Sequence, residues 1–111
     1  MADDIESKLV WDEVLASKLV GKLMLIGLTH SDAENKHTHQ EQIFGRVVST
    51  GRTSGIKLLL EGNRDGEVFD LPPDTRSIQE ASPGEYRLRS TGEVVTDPDY
   101  TVTYLIQSLK D

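Results

Sequence analysis

The second half of the chain alternates short apolar stretches with turns that contain glycine. Four of these stretches have the length of β-strands: residues 56–60, 67–71, 86–89 and 101–106. Alternation of apolar and polar residues with a period of two directs one face of a strand to a core and the other to solvent. Several short strands separated by glycine turns are typical of a small antiparallel barrel, so the pattern predicts a mainly β fold.

The first half of the chain contains two further apolar patterns. Apolar residues recur at mostly helical spacing between Ile5 and Leu19, which predicts a short amphipathic helix within residues 1–18. Residues 23–28 are apolar except for one glycine, so both faces of this strand need a cover. We expect the barrel interior to cover one face and the N-terminal helix to cover the other.

These elements fit one domain. We predict a small SH3-like, partly open antiparallel barrel of five or six strands over residues 19–111, preceded by the helix at 1–18. A chain of 111 residues buries roughly two thirds of its unfolded surface, which suits a single modest core. No apolar stretch approaches the ~20 residues of a membrane span, and acidic residues stand where a secretory signal carries basic ones. We therefore expect a soluble cytoplasmic protein without membrane contact.

Part of the chain resembles a group of small uncharacterised bacterial proteins. The most specific stretch is residues 83–93, which read Pro-Gly-Glu-Tyr-Arg-Leu-Arg-Ser-Thr-Gly-Glu. An opening Leu-Val-Gly-Lys at residues 19–22 belongs to the same resemblance, which extends over about residues 19–106. It implies a compact β-rich domain and carries no activity.

Charge limits the partners that the chain can have. The 19 acidic and 12 basic side chains give a formal net charge of −7. Such a surface repels phosphate backbones and attracts cationic partners. The few aromatic residues fall mostly at predicted inward positions, which leaves no platform for stacked bases. The sequence therefore predicts a basic protein as the partner and no nucleic acid.

Three histidines form the candidate metal site. His30, His37 and His39 fall between two predicted strands, and imidazole is a common metal ligand. If residues 37–39 are extended, two of the rings point to one side and the third can meet them across a hairpin. Against a metal, the chain has no His-x-x-x-His spacing and no cysteine, and a polar loop also collects histidines by chance. We predict solvent-facing histidines without a cofactor, and keep a metal- or ligand-binding protein or enzyme that uses the loop from His30 to His39 as the alternative.

Three arginines form the candidate binding residues. Arg87 and Arg89 are predicted to share one strand face, with Arg76 nearby, and guanidinium groups bind carboxylates or phosphates through two parallel hydrogen bonds. The alternative is cross-strand pairing with Glu93 or another acidic residue, and we favour it.

No set of residues fits a catalytic mechanism. Ser54 and Lys57 match a Ser-x-x-Lys pattern, but residues three apart on a strand face opposite sides. Asp97 and Asp99 flank a proline in a pattern typical of turns. The sequence therefore favours a non-enzymatic protein-interaction module, and an acidic inhibitor or immunity-type binder of a basic protein is one concrete form of it.

Overall fold

The computed structural model describes residues 10–31 and 38–107, which form a mainly β structure with one short helix. The elements are α1 (Glu13–Leu19), β1 (Leu23–Ser31), β2 (Thr38–Gly51), β3 (Gly55–Leu60), a 3₁₀ turn (Gly62–Arg64), β4 (Val68–Leu71), β5 (Gln79–Glu80), β6 (Glu85–Arg87), β7 (Val94–Thr96) and β8 (Tyr100–Gln107). The predicted mainly β fold class is confirmed. The part of the predicted helix that precedes residue 10, like His37, lies outside the described residues.

Six strands form one mixed sheet in the order β4-β3-β2-β1-β8-β5, and β6 pairs with β7 in a separate hairpin. The sheet does not close into a barrel within the described residues, since β4 and β5 remain at its two edges. It also departs from the predicted antiparallel pattern, because β8 pairs with β1 in parallel. Asp99 fixes the start of this pairing. Its backbone N–H donates to Leu23 O at 2.8 Å and its Oδ2 accepts the Leu23 N–H at 2.9 Å, which holds the first residues of both strands side by side.

The main core lies on one face of this sheet. Met24, Ile26 and Leu28 of β1 point into it and are fully buried. Asp12 caps α1 by accepting the Leu15 N–H at 3.1 Å, and the helix buries Leu19 in the same core. Trp11 packs against this core and is half-buried. The helix therefore contributes to the interior that the strands enclose.

The opposite face of β1 has a separate cover. Leu23 and Leu25 pack against Leu88 and Val95, which the β6–β7 hairpin and the residue after β6 supply. The sequence correctly indicated that β1 needs a cover on both faces, but it assigned the second cover to the helix. Among residues 10–31 and 38–107, no helix has both the length and the apolarity that crossing a membrane requires.

One strand extends well beyond its neighbour. β2 has 14 residues, whereas β3 pairs only with residues 45–51 of it. At Gly45 the two backbones approach so closely that a β-carbon would lie 2.8 Å from Leu60 Cα. β3 ends here at Leu60, and among the described strands residues 38–44 of β2 form a ladder with β1 only.

Candidate functional site

The part of β2 that extends beyond β3 borders a cleft of about 230 Å³. We call it the β2 cleft. Its walls are residues 41–44 of β2, the turn at 61–64 and the turn at 90–93. Its floor is apolar where Ile43 and the half-buried Phe44 lie, and its rim is polar. A concave site with an apolar floor and a few converging polar groups is the usual form of a binding site.

The backbone of β2 presents hydrogen-bonding groups at this cleft. Val47 bonds toward β1, because its N–H donates to Lys22 O at 3.0 Å and its carbonyl accepts the Gly21 N–H at 2.7 Å. Alternate residues of a strand bond to opposite sides, so even-numbered residues of β2 direct their N–H and C=O groups away from β1. Phe44 agrees with this, since its carbonyl accepts the Glu61 N–H at 2.9 Å. Gln42 and Gln40 therefore also direct their backbone groups outward.

The two turns are fixed in place around the β2 cleft. Gln42 Oε1 accepts the Arg89 N–H at 2.6 Å, and the Gln42 N–H reaches Ser90 Oγ at 3.3 Å. Glu93 links the two turns, since its Oε2 accepts the Asn63 N–H at 2.7 Å. The two short bonds, from Arg89 to Gln42 and from Asn63 to Glu93, join segments that are 47 and 30 residues apart in the chain, so the folded domain preorganises the cleft for a ligand.

The charges at the β2 cleft are predominantly negative. Glu41, Glu61 and Glu93 line it together with one basic residue, Arg64, so three carboxylates and one guanidinium leave a formal charge of −2. Arg64 Nη1 lies 2.6 Å from Glu41 Oε2, and Arg64 Nη2 lies 2.8 Å from Glu67 Oε1. The hydrogen bond to Glu67 is the main cause that raises the pKa of the Arg64 guanidinium. The site thus already holds one guanidinium between two carboxylates.

Two of the predicted histidines lie beside this cluster. His30 and His39 form a directly opposed cross-strand pair of β1 and β2, and their rings stack with centroids 4.6 Å apart and planes at 11°. They therefore lie in strands, whereas the sequence predicted a loop. His30 Nε2 lies 3.2 Å from Glu41 Oε1, which joins the pair to the rim of the β2 cleft.

The stacked arrangement does not suit a shared metal ion. The nitrogen lone pairs of an imidazole lie in the ring plane, so two nearly parallel rings direct them side by side and not toward one point. Within the described residues, no group of three or more histidine, cysteine or acidic side chains could hold a metal ion.

The predicted arginines do not form one site in the described structure. Arg76 makes two parallel bonds to Asp74, with Nε to Oδ1 at 3.0 Å and Nη2 to Oδ2 at 2.6 Å. These bonds are the main cause that lowers the pKa of Asp74, whose side chain is nearly buried. Arg87 ends β6 and Arg89 lies in the following turn, so the two do not share a strand face. Within residues 10–31 and 38–107, neither forms an ion pair, and Glu93 bonds to Asn63 and Thr91.

The paired aspartates have structural roles. Asp97 Oδ1 accepts the Gly84 N–H at 2.7 Å, while Asp99 holds the start of β1 as described above. The turn interpretation of these residues therefore agrees with the structure, although their carboxylates bond to distant backbone groups.

The sequence missed the residues that form the β2 cleft. Glu41, Glu61 and Arg64 are single charges in polar stretches, and only the fold brings them together. The glycine at position 45 was the nearest signal, because an internal glycine marks a close backbone approach. Comparisons of the chain with protein-family models, curated proteins and solved structures found no match.

Proposed function

We propose that this protein is a non-enzymatic interaction module that binds a basic protein partner at the β2 cleft. One observation carries the proposal: three carboxylates and a single guanidinium surround an apolar floor beside a strand edge that no described strand covers. The cleft and the whole chain, at −7, have the same sign of charge. Electrostatic complementarity of this kind speeds the approach of a cationic partner and selects against anionic ones.

The position of Arg64 supports a cationic ligand. Its guanidinium bonds to Glu41 and Glu67 and lies 5.9 Å from the centroid of the Phe69 ring, within the range of a cation–π contact. The chain thus binds an arginine of its own with the groups that a partner's arginine requires. An acidic inhibitor or immunity-type binder in a bacterial cytoplasm is one concrete form of this function.

The alternative is a metal- or ligand-binding role at the predicted histidine loop. The stacking of His30 on His39 and the bond from His30 to Glu41 favour a structural role for both rings. We therefore keep the interaction module as the conclusion.

Selection of random 12-residue peptides by phage display on the immobilised protein tests the proposal. We compare two double variants that each remove two negative charges, which changes the formal charge from −7 to −5. Glu41→Gln/Glu61→Gln acts at the β2 cleft, whereas Glu80→Gln/Glu85→Gln acts at exposed positions of β5 and β6. We expect the selected peptides to be rich in arginine and lysine, and to lose binding to the first variant only. Selected peptides without a basic bias, or equal binding to both variants, would contradict the proposal.

A further inference from the structure

We propose that the partner supplies an extended basic segment that pairs with residues 38–42 of β2 as an added strand. This inference rests on the proposed function and specifies how the ligand binds. Addition of a strand to a sheet edge obtains affinity from backbone hydrogen bonds and specificity from alternate side chains.

The edge of β2 has the required length and polarity. Residues 38–42 lie beyond the last pairing with β3 and beyond the bond from Glu61 to Phe44, and five strand residues span about 17 Å at ~3.3 Å each. Along this edge, both backbone groups of Gln40 and the carbonyl of Gln42 point away from β1, as the alternation from Val47 requires. The outward N–H of Gln42 meets only Ser90 Oγ at 3.3 Å, which is long for a hydrogen bond. A carbonyl of an added strand can replace this weak contact.

The side chains of β2 predict the pattern of the added segment. Residues directly opposite each other in neighbouring strands share a face of the sheet. A partner residue opposite Glu41 therefore meets the Glu41 carboxylate and the acidic end of the β2 cleft, whereas the residues before and after it meet the uncharged Gln40 and Gln42. The partner segment should thus carry a basic residue opposite Glu41, with uncharged residues directly before and after it.

Two heptapeptides of equal composition test this pattern. Both carry three arginines and four threonines with blocked ends and a fluorescent label. One has arginine at its second, fourth and sixth positions, and the other has its three arginines in a row. Fluorescence anisotropy should show that the alternating peptide binds the protein at least about fivefold more tightly, because only it can direct its charges to one face. Equal affinity of the two peptides would overturn the added strand.

A pair of variants at Gln40 tests the backbone bonds. Proline lacks the N–H group and is tolerated on a strand edge where that group faces outward, so Gln40→Pro keeps the pairing of β2 with β1. Gln40→Ala is the matched control, since it removes the same side chain and keeps the N–H. We expect Gln40→Ala to bind the alternating peptide as the wild type does and Gln40→Pro to bind it about tenfold more weakly. Equal binding by both variants would overturn the proposal.

Amide hydrogen exchange in the wild-type protein tests the same backbone bonds without a substitution that could change the fold. The alternating peptide should slow exchange of the Gln40 N–H and leave that of Glu41, which bonds toward β1, unchanged. Unchanged exchange at Gln40 in the bound state, or a Gln40 N–H already protected in the free protein by a second copy or by its own chain, would overturn the proposal.

The variants together distinguish the added strand from the proposed function. If Glu41→Gln/Glu61→Gln weakens peptide binding while Gln40→Pro does not, the added strand is wrong and the basic partner stands. If neither peptide binds the wild type at about 1 mM, both proposals fail.

Discussion

Two glycines at similar places in paired strands should respond in opposite ways to the same substitution. Gly45 of β2 and Gly27 of β1 both interrupt apolar strands, and neither has a positive φ. From the sequence, both glycines are expected to serve the backbone geometry of their strands. The structure separates them, because only Gly45 lies where the backbone of a neighbouring strand leaves no room for a β-carbon.

The expected difference follows from the distances. A β-carbon at Gly45 would lie 2.8 Å from Leu60 Cα and would overlap the Leu59 carbonyl oxygen, and both are backbone atoms that cannot move alone. To relieve this overlap, β3 must shift away from β2, which should lower the free energy of unfolding by about 1–3 kcal/mol, as for other overpacked sites. At Gly27 the nearest atom is Thr103 Oγ1 at 3.6 Å, an ordinary contact. Alanine there should stabilise by up to about 1 kcal/mol by restricting the unfolded chain.

Urea unfolding of both variants and the wild type checks this reasoning. We expect Gly45→Ala to be less stable than Gly27→Ala by about 2–4 kcal/mol, with similar dependence on urea concentration. Equal stabilities, or a more stable Gly45→Ala, would show that β3 does not approach β2 as described. The position of the β2 cleft would then be in doubt, because Gly45 is the end residue of the β2–β3 ladder, next to the cleft.

Three further predictions concern the core and the histidines. The Tyr104 hydroxyl donates to the Asp74 carbonyl at 2.9 Å, and burial raises its pKa to about 12. Because the pKa of Tyr104 in the folded state lies above the unfolded value of about 10, the wild type should lose stability as pH rises from 10 to 12. Tyr104→Phe should lose less stability over the same range, which melting temperatures measured against pH can show. Identical pH dependence of the two proteins would contradict the burial of the hydroxyl group. Leu88→Ala should lower the free energy of unfolding by about 2–5 kcal/mol in urea titration, because this fully buried side chain covers β1; a loss below about 0.5 kcal/mol would mean that the hairpin is no cover. Elemental analysis of untagged protein should find less than about a tenth of an equivalent of any transition metal, whereas a stoichiometric metal lost on His30→Ala or His39→Ala would support the alternative function.

The fold could be predicted from the sequence where the pattern of apolar residues indicates which faces of a strand are buried. Residues 23–28 are apolar on both faces, and the structure covers both. The identity of the second cover could not be predicted, because Leu88 and Val95 are single apolar positions that indicate only an inward direction. The parallel β1–β8 pair could not be predicted either, since it joins strands that are 76 residues apart in the chain and no local sequence pattern indicates such a pairing.

The candidate site was harder to predict because its residues come together only through the pairing of β1 with β2. A polar stretch from His30 to Gln40 indicates a loop, yet pairing of β1 with β2 continues to Ser31 and Thr38. That extension places His30 against His39 and leaves the outer side of β2 beside the β2 cleft. The types of the individual residues do not reveal such a site, because the site exists only where β2 extends beyond β3.

A titration of the ¹⁵N-labelled protein with the alternating arginine–threonine heptapeptide, followed by amide chemical shifts, tests whether a basic ligand binds at the β2 cleft. We expect the largest shifts in residues 38–44, 61–64 and 89–93, which border the β2 cleft. We expect small shifts at the cleft of about 420 Å³ around Lys22 and Asp97, on another part of the surface. Shifts centred on that second cleft, or spread evenly over all acidic residues, would contradict a basic partner bound at the β2 cleft.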